Sequence, residues 1–141
     1  MAILIDTNVF TAAERCKHAG KLAELLDQIP AEKKTEDAVI SVITASELLM
    51  SVRRATDDRI RERRSAFVEA ILDRFTALPI DIRIAREHSR IVAELLNSGQ
   101  KIGTHDSWIA ASASAYGFSI ATNNVDEFSR VPELEVVTIS V

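Results

Sequence analysis

The sequence is poor in cysteine, proline, glycine and aromatic residues, and each shortage excludes something. Cys16 is the only cysteine among 141 residues, so an internal disulfide and a cysteine-based zinc site are both ruled out. A lone thiol of this kind reads as a small packing residue. Aromatics make up 5% of the chain, so the core must come from Leu, Ile, Val and Ala. The N-terminus has no basic segment followed by a long apolar stretch, as a secretory signal requires. No run approaches the ~18 apolar residues of a membrane helix. These absences together predict a cytoplasmic protein with no membrane partner. No internal repeat, low-complexity tract or linker interrupts the chain, and one domain over residues 1–141 is expected. There is no excess of positive charge. The net charge is −4, which taken alone argues against a nucleic-acid partner.

What remains is the composition of a globular protein, 47% apolar and 27% charged. A chain of this length buries roughly 68–70% of its unfolded surface, enough for a self-sufficient core. The organising stretch is the first ten residues. Ala2 to Ile5 is a short apolar run rich in β-branched residues, which reads as a strand buried on both faces. It stops at Asp6, and Asp6, Thr7 and Asn8 offer side chains suited to a helix start. A carboxylate thus stands where a central strand ends, the edge at which open α/β sheets place their sites.

From Val9 to about Ile29 the pattern is helical, with a break at Gly20, and Pro30 closes it. Ala31 to Asp37 reads as a charged surface loop. Ala38 to Ile43 is a second β-branched run, hence a second buried strand. Thr44-Ala-Ser-Glu47 then matches a capping box and predicts a helix to about Ala55. A further helix is expected from Thr56 to Phe75. Ala77 to Ile80 forms a short strand, peripheral because Pro79 cannot donate to a ladder. Asp81 to Asn97 is an amphipathic helix with Ile84, His88, Ile91, Val92 and Leu95 on one side. Thr104 is placed as the cap of an Ala- and Ser-rich helix from His105 to Ala115 or Tyr116. Phe118 to Ala121 and Glu135 to Ile139 complete the strands, with a short turn around Phe128 between them. This alternation predicts an α/β fold, a mostly parallel sheet with helices on both faces.

Three acids occupy comparable positions: Asp6 after the first strand, Glu47 in the helix after the second, and Asp106 in the first turn of the Ala-rich helix. Thr122, Asn123, Asn124 and Asp126 follow the fourth strand. Strand C-termini of a parallel sheet share one edge, so these groups converge there, Asp106 by way of a right-handed crossover. Singly, each acid has an ordinary reading as a cap or a first-turn acid, worth about 0.3–1 kcal/mol. Several carboxylates within about 6 Å of one another repel, and a fold gains nothing by assembling them for stability. A divalent cation removes the repulsion. Mg²⁺ suits carboxylate and water ligands, and such a site activates water against a phosphodiester.

These residues resemble those of the PIN-domain ribonucleases, most closely the VapC toxins of bacterial toxin–antitoxin pairs. The resemblance rests on four motifs in order across nearly the whole chain. They are Ile-Leu-Ile-Asp6-Thr-Asn-Val, Ile43-Thr-Ala-Ser-Glu47-Leu, Ile102-Gly-Thr-His-Asp106-Ser-Trp-Ile-Ala-Ala, and Ala121-Thr-Asn-Asn124-Val-Asp-Glu-Phe with Val131-Pro. It implies a three-layer α/β/α sandwich and Mg²⁺- or Mn²⁺-dependent RNA cleavage leaving 5′-phosphate and 3′-hydroxyl ends. Asp6 and Asp106 would be the principal metal ligands, with Glu47 binding metal or orienting the attacking water. Thr122 would hydrogen-bond a metal-bound water. The family often carries Asp where Asn124 stands. Asn keeps an oxygen but loses a charge, and Asp126 is a substitute ligand two residues on. The resemblance also implies an RNA substrate such as tRNA, a VapB-like antitoxin and a homodimer.

Discounting Asp6, Glu47, Asp106 and Asp126 as site residues brings the net charge from −4 to 0, so the acidity no longer opposes an RNA partner. Residues Arg53 to Arg64 include six arginines against Asp57, Asp58 and Glu62. Arg53, Arg54 and Arg61 are the substrate-binding candidates, against an ordinary solvated helix face. His88 and Trp108 are expected in packing, and His105 on the surface. Two other readings compete. One is a catalytically weakened RNA- or protein-binding module, suggested by Asn124. The other is an aspartyl-phosphate phosphatase, which wants a second Asp at position 8, where the chain has Asn.

Overall fold

The computed structural model describes residues 2–16, 18, 20–34 and 37–141. Strand β1 (Ile3–Ile5) is central. Ile3 and Ile5 point into one hydrophobic cluster, Leu4 into the other, and all three are buried. A strand that is apolar at every position must be covered on both faces, and the elements that follow supply the cover. Helices α1 (Thr7–Arg15) and α2 (Lys21–Leu26) come next, then the single turn α3 (Ala31–Lys34) and strand β2 (Ala38–Ser41). Helices α4 (Val42–Arg53) and α5 (Asp58–Arg74) lead to β3 (Thr76–Leu78). Helices α6 (Ile82–Asn97) and α7 (Thr104–Ala115) then lead to β4 (Ser119–Thr122), and the turn α8 (Val125–Phe128) to β5 (Val136–Thr138).

The strands form one sheet in the order β3-β2-β1-β4-β5, with every pairing parallel. The chain works outward from β1 to the β3 edge, then crosses back through α6 and α7 to start again beside β1. That reversal puts the topological switch point between β1 and β4, whose register pairs Ile5 with Ala121. Side chains of α1, α2, α4 and α5, including Val9, Phe10, Leu25, Leu48 and Ile71, cover one sheet face. Ile84, Ile91 and Leu95 of α6 and the Ile109–Ala113 stretch of α7 cover the other. The result is the expected α/β/α sandwich.

Several boundaries differ from expectation for local reasons. The segment expected as helix from 9 to 29 divides into α1 and α2. Gly20 begins α2 with φ +89°, a conformation that favours glycine, while residues 17 and 19 lie outside those described. The expected charged loop at 31–37 contains α3, and residues 35 and 36 lie outside those described. The second strand stops at Ser41, where pairing with β3 ends at Leu78. Ser41 caps α4, its Oγ accepting the Ile43 N–H at 3.0 Å, so the Thr44–Glu47 capping box does not form. Thr44 is instead buried one turn into the helix. Gly103 rather than Thr104 occupies the N-cap of α7.

Candidate active site

Asp6 follows β1 at the N-cap position of α1, but its side chain makes no capping bond. It turns toward β4, where Thr122 donates its hydroxyl proton to Asp6 Oδ2 at 2.8 Å. The carboxylate is buried, and Asp6 Oδ1 has no hydrogen-bond partner. An unpaired buried carboxylate oxygen at a switch point is costly unless something positive meets it. Burial pushes the Asp6 carboxyl up to about 6; the Thr122 bond opposes this, the Glu47 charge adds to it, and the nearby Thr7 and Asn8 backbone amides oppose it to a smaller extent. Thr122 is thus committed to Asp6, and it also accepts the Asn124 N–H at 2.8 Å.

Glu47 reaches the same edge from the second turn of α4. Thr7 donates to Glu47 Oε1 at 2.8 Å, and the Thr7 and Thr44 hydroxyls lie 2.8 Å apart. The buried Thr44 therefore anchors Thr7, and Thr7 anchors the carboxylate. On the other side His105 Nδ1 lies 3.3 Å from Glu47 Oε2. The expected surface histidine is exposed, yet it sits against a site acid.

Asp106 stands in the first turn of α7. Its carboxyl is pushed up to about 7, by burial first, then by a hydrogen bond to Glu127, then by the charges of Asp6, Glu127 and Glu47. Those interactions place Asp6, Glu47, Asp106 and Glu127 within electrostatic reach of one another. Glu127 is the member that sequence reading missed. It accepts the Gly103 N–H on Oε1 at 2.5 Å and the Asn124 side-chain amide on Oε2 at 2.7 Å. Burial acts to raise its carboxyl, but these two bonds and Asp106 outweigh burial and hold it below the usual range. Asp126, proposed from sequence to supply the fourth ligand, is exposed, and no described interaction joins it to the other acids. Asn124 contributes by holding Glu127. The only signal for this was the acid three residues beyond Asn124, on the same side of one helical turn.

Among the described residues no three His, Cys, Asp or Glu side chains form a ready-made metal cage. The donor set still fits a hard cation held by few protein oxygens and several waters. It offers the unpaired Oδ1 of Asp6, and a carboxyl on Asp106 whose charge its neighbours disfavour. The arginine candidates fare differently. Arg61 is tied to Asp58 at 2.6 Å and to the Ala55 carbonyl, so it locks the α4–α5 turn. Arg53 and Arg54 are exposed at the end of α4, about 9 Å along the helix from Glu47 and beyond. His88 stacks on Trp108 with centroids 3.6 Å apart and bonds Ser107, packing α6 on α7 as expected.

A parallel sheet with acids gathered at its switch point defines a nuclease-type α/β site, and comparison with known proteins makes that class specific. The PIN domain family model matches residues 3–134. The chain is 37% identical to ribonuclease VapC1 of Rickettsia felis over 99% of this chain and 98% of that protein. It is 30% identical to the tRNA(fMet)-specific endonuclease VapC of Salmonella typhimurium over 96% of both. VapBC from Salmonella typhimurium, solved bound to DNA, superposes with a TM-score of 0.81 at 27% identity over 98% of both chains. VapBC2 from Rickettsia felis shares the fold with a TM-score of 0.84.

The chain belongs to the PIN-domain family and, within it, to the VapC ribonucleases of VapBC toxin–antitoxin systems. Nucleases of this family are metal-dependent.

Proposed function

We propose that this protein is a Mg²⁺-dependent endoribonuclease in which Asp6 and Asp106 hold the metal and Glu47 orients the attacking water. Mn²⁺ is an alternative ion of the same ligand preference. The observation that carries the reading is Asp6 Oδ1, buried and unpaired beside a second acid, Asp106, whose carboxyl is pushed up to about 7 by burial and then by its acidic neighbours. When bound, a divalent cation supplies charge neutralisation for the phosphodiester and lowers the pKa of water. The residues do the rest. Thr122 holds the Asp6 carboxylate through Oδ2, which leaves Oδ1 without a protein partner. Thr7 and His105 fix Glu47 from opposite sides, leaving its carboxylate able to take a proton from water. Asn124 turns Glu127 toward Asp106, so a carboxylate stands at the fourth corner although position 124 is an amide. That removes the main support for a catalytically weakened binding module.

The whole chain, residues 1–141, acts as one catalytic domain in this reading, in the cytoplasm where RNA is available. A tRNA substrate is favoured by the relative that acts on tRNA(fMet). A VapB-like antitoxin partner is favoured by the neighbours solved as VapBC complexes, and a homodimer is expected with it. The test is cleavage of purified tRNA by wild type and by the Asp6→Ala/Asp106→Ala double variant. Wild type is expected to cut internally, leaving 5′-phosphate ends, and the double variant to be inactive. Equal activity in the two would refute the assignment.

A further inference from the structure

Asn8, Glu47, Gly103, Thr104, His105 and Asp106 line an open concavity at the acid cluster. Lys, Arg and large apolar side chains are absent from that wall. Besides the two acids and the glycine, it consists of side chains that both donate and accept hydrogen bonds. Asn8, Thr104 and His105 are all exposed. Among the described residues no hydrogen bond engages the Asn8 amide or the Thr104 hydroxyl. A phosphate beyond the one being cut would meet carboxylates here with no protein cation beside it. A nucleobase would find no apolar surround. A sugar hydroxyl suits the wall, because it donates and accepts as those side chains do.

His105 is oriented within this wall. Its Nδ1 lies 3.3 Å from Glu47 Oε2. Carboxylate oxygens only accept, and two lone pairs at that distance repel, so Nδ1 carries a proton. Glu47 is fixed in turn by Thr7, which donates to its other oxygen at 2.8 Å. The ring is thus held by one edge. Its other nitrogen, Nε2, is left without a partner among the described residues. His88 differs, since it is stacked on Trp108 and bonded to Ser107 within the fold. In the neutral His105 ring Nε2 accepts, and in the charged ring it donates. A hydroxyl satisfies either form, so the contact does not depend on the charge of the ring.

Building on the ribonuclease reading, we infer that His105 is a specificity-determining residue whose Nε2 contacts the 2′-hydroxyl of a ribose flanking the scissile phosphate, favouring RNA over DNA. The 2′-hydroxyl is what separates the two nucleic acids at any one position. Water is the nucleophile in the ribonuclease reading, so this hydroxyl takes no part in bond making or breaking. Removing it loses only the contact, and the deoxy strand remains cleavable.

The test uses a short single-stranded RNA containing a mapped cut site, and two matched strands. Each matched strand carries one 2′-deoxyribose, on one side of the cut or the other. kcat/KM is measured with Mg²⁺ at a single pH. Wild type is expected to cut one of the deoxy strands roughly fivefold more slowly than the RNA, as loss of one hydrogen bond does. His105→Asn keeps an N–H near the position of Nδ1 but has nothing in place of Nε2. It should cut the RNA and that deoxy strand equally, near the wild-type rate on the deoxy strand. His105→Ala also releases Glu47, so it should be slower on every strand and still show no preference. Strands are compared within each protein, so partial loss of folded protein cancels in the ratio. A preference that survives in both variants, even with slower cutting throughout, assigns His105 to holding Glu47 or to base stacking and overturns the inference. So does a wild type with no preference at either nucleotide, and both results leave the ribonuclease reading standing. A wild type that cuts no RNA strikes that reading itself, and the inference with it.

Discussion

A carboxylic acid buried beside other acids keeps its proton to a higher pH than a free one, and a cation favours its ionised form. In this protein Asp6 is pushed up to about 6 and Asp106 to about 7, both by burial before any other cause. Raised carboxyl values mean that folding favours the protonated form of each group over its ionised form. Their contribution to stability is full below about pH 4 and is lost as the pH rises through about 6 and 7. The metal-free protein is therefore expected to melt at falling temperature from pH 4.5 to 8, as far as these groups decide. Asp106→Asn should flatten that profile and raise the melting temperature of the metal-free protein at pH 8. Mg²⁺ requires the ionised forms, so it should raise the melting temperature at pH 8 and much less at pH 5. Thermal melts with and without EDTA at each pH check both statements. Glu127→Gln removes a charge beside Asp106 and is expected to slow cleavage at least about tenfold, a loss above 1.4 kcal/mol in the barrier. Asp126→Asn should cut as wild type, and kcat measured for the pair separates the two adjacent acids. Asp6, Glu47 and Asp106 were legible in sequence because each follows a strand or opens a helix. Glu127 was not, because rotation about one helical turn decides which of two neighbouring acids faces inward. Composition is silent on that rotation.

At the scale of elements, the helix starts position the chemistry. α4 carries Glu47, and its start is set by Ser41 rather than Thr44. Ser41→Ala is expected to cost about 1 kcal/mol, as loss of a helix cap does, measured by urea unfolding. Thr44→Ala should act differently. It leaves the cap intact but frees Thr7, so its effect should fall on kcat, through Glu47, as well as on stability. Both residues are cap formers three positions apart, and local preference does not choose between them. The choice comes from the sheet, because pairing with β3 ends at Ser41 and releases Val42 and Ile43 into the helix despite their β-branched side chains. The long amphipathic helix α6 was legible because its apolar spacing repeats over sixteen residues. Ile91, buried within it, should cost about 2–5 kcal/mol on truncation to Ala. α3 was missed because four residues carry no period to read.

At the scale of the molecule, the strand order decides where the acids meet. An excursion to the β3 edge and a return beside β1 bring β1 and β4 together, and with them Asp6 and the 122–127 segment. The α6–α7 crossover adds Asp106 from the opposite face, and α4 adds Glu47. Alternating strands and helices made the sandwich predictable from sequence. The arginine assignments were not, because linear clustering of charge says nothing about which side chains are already bonded within the fold, as Arg61 is. The central claim, that these acids hold the metal that cuts RNA, is tested most directly by cleavage of tRNA by EDTA-stripped protein across a Mg²⁺ titration. No cleavage is expected without metal, recovery is expected with added Mg²⁺, and no recovery is expected in Asp6→Ala/Asp106→Ala at any concentration. Cleavage by stripped wild type, or Mg²⁺-dependent recovery in the double variant, would contradict it.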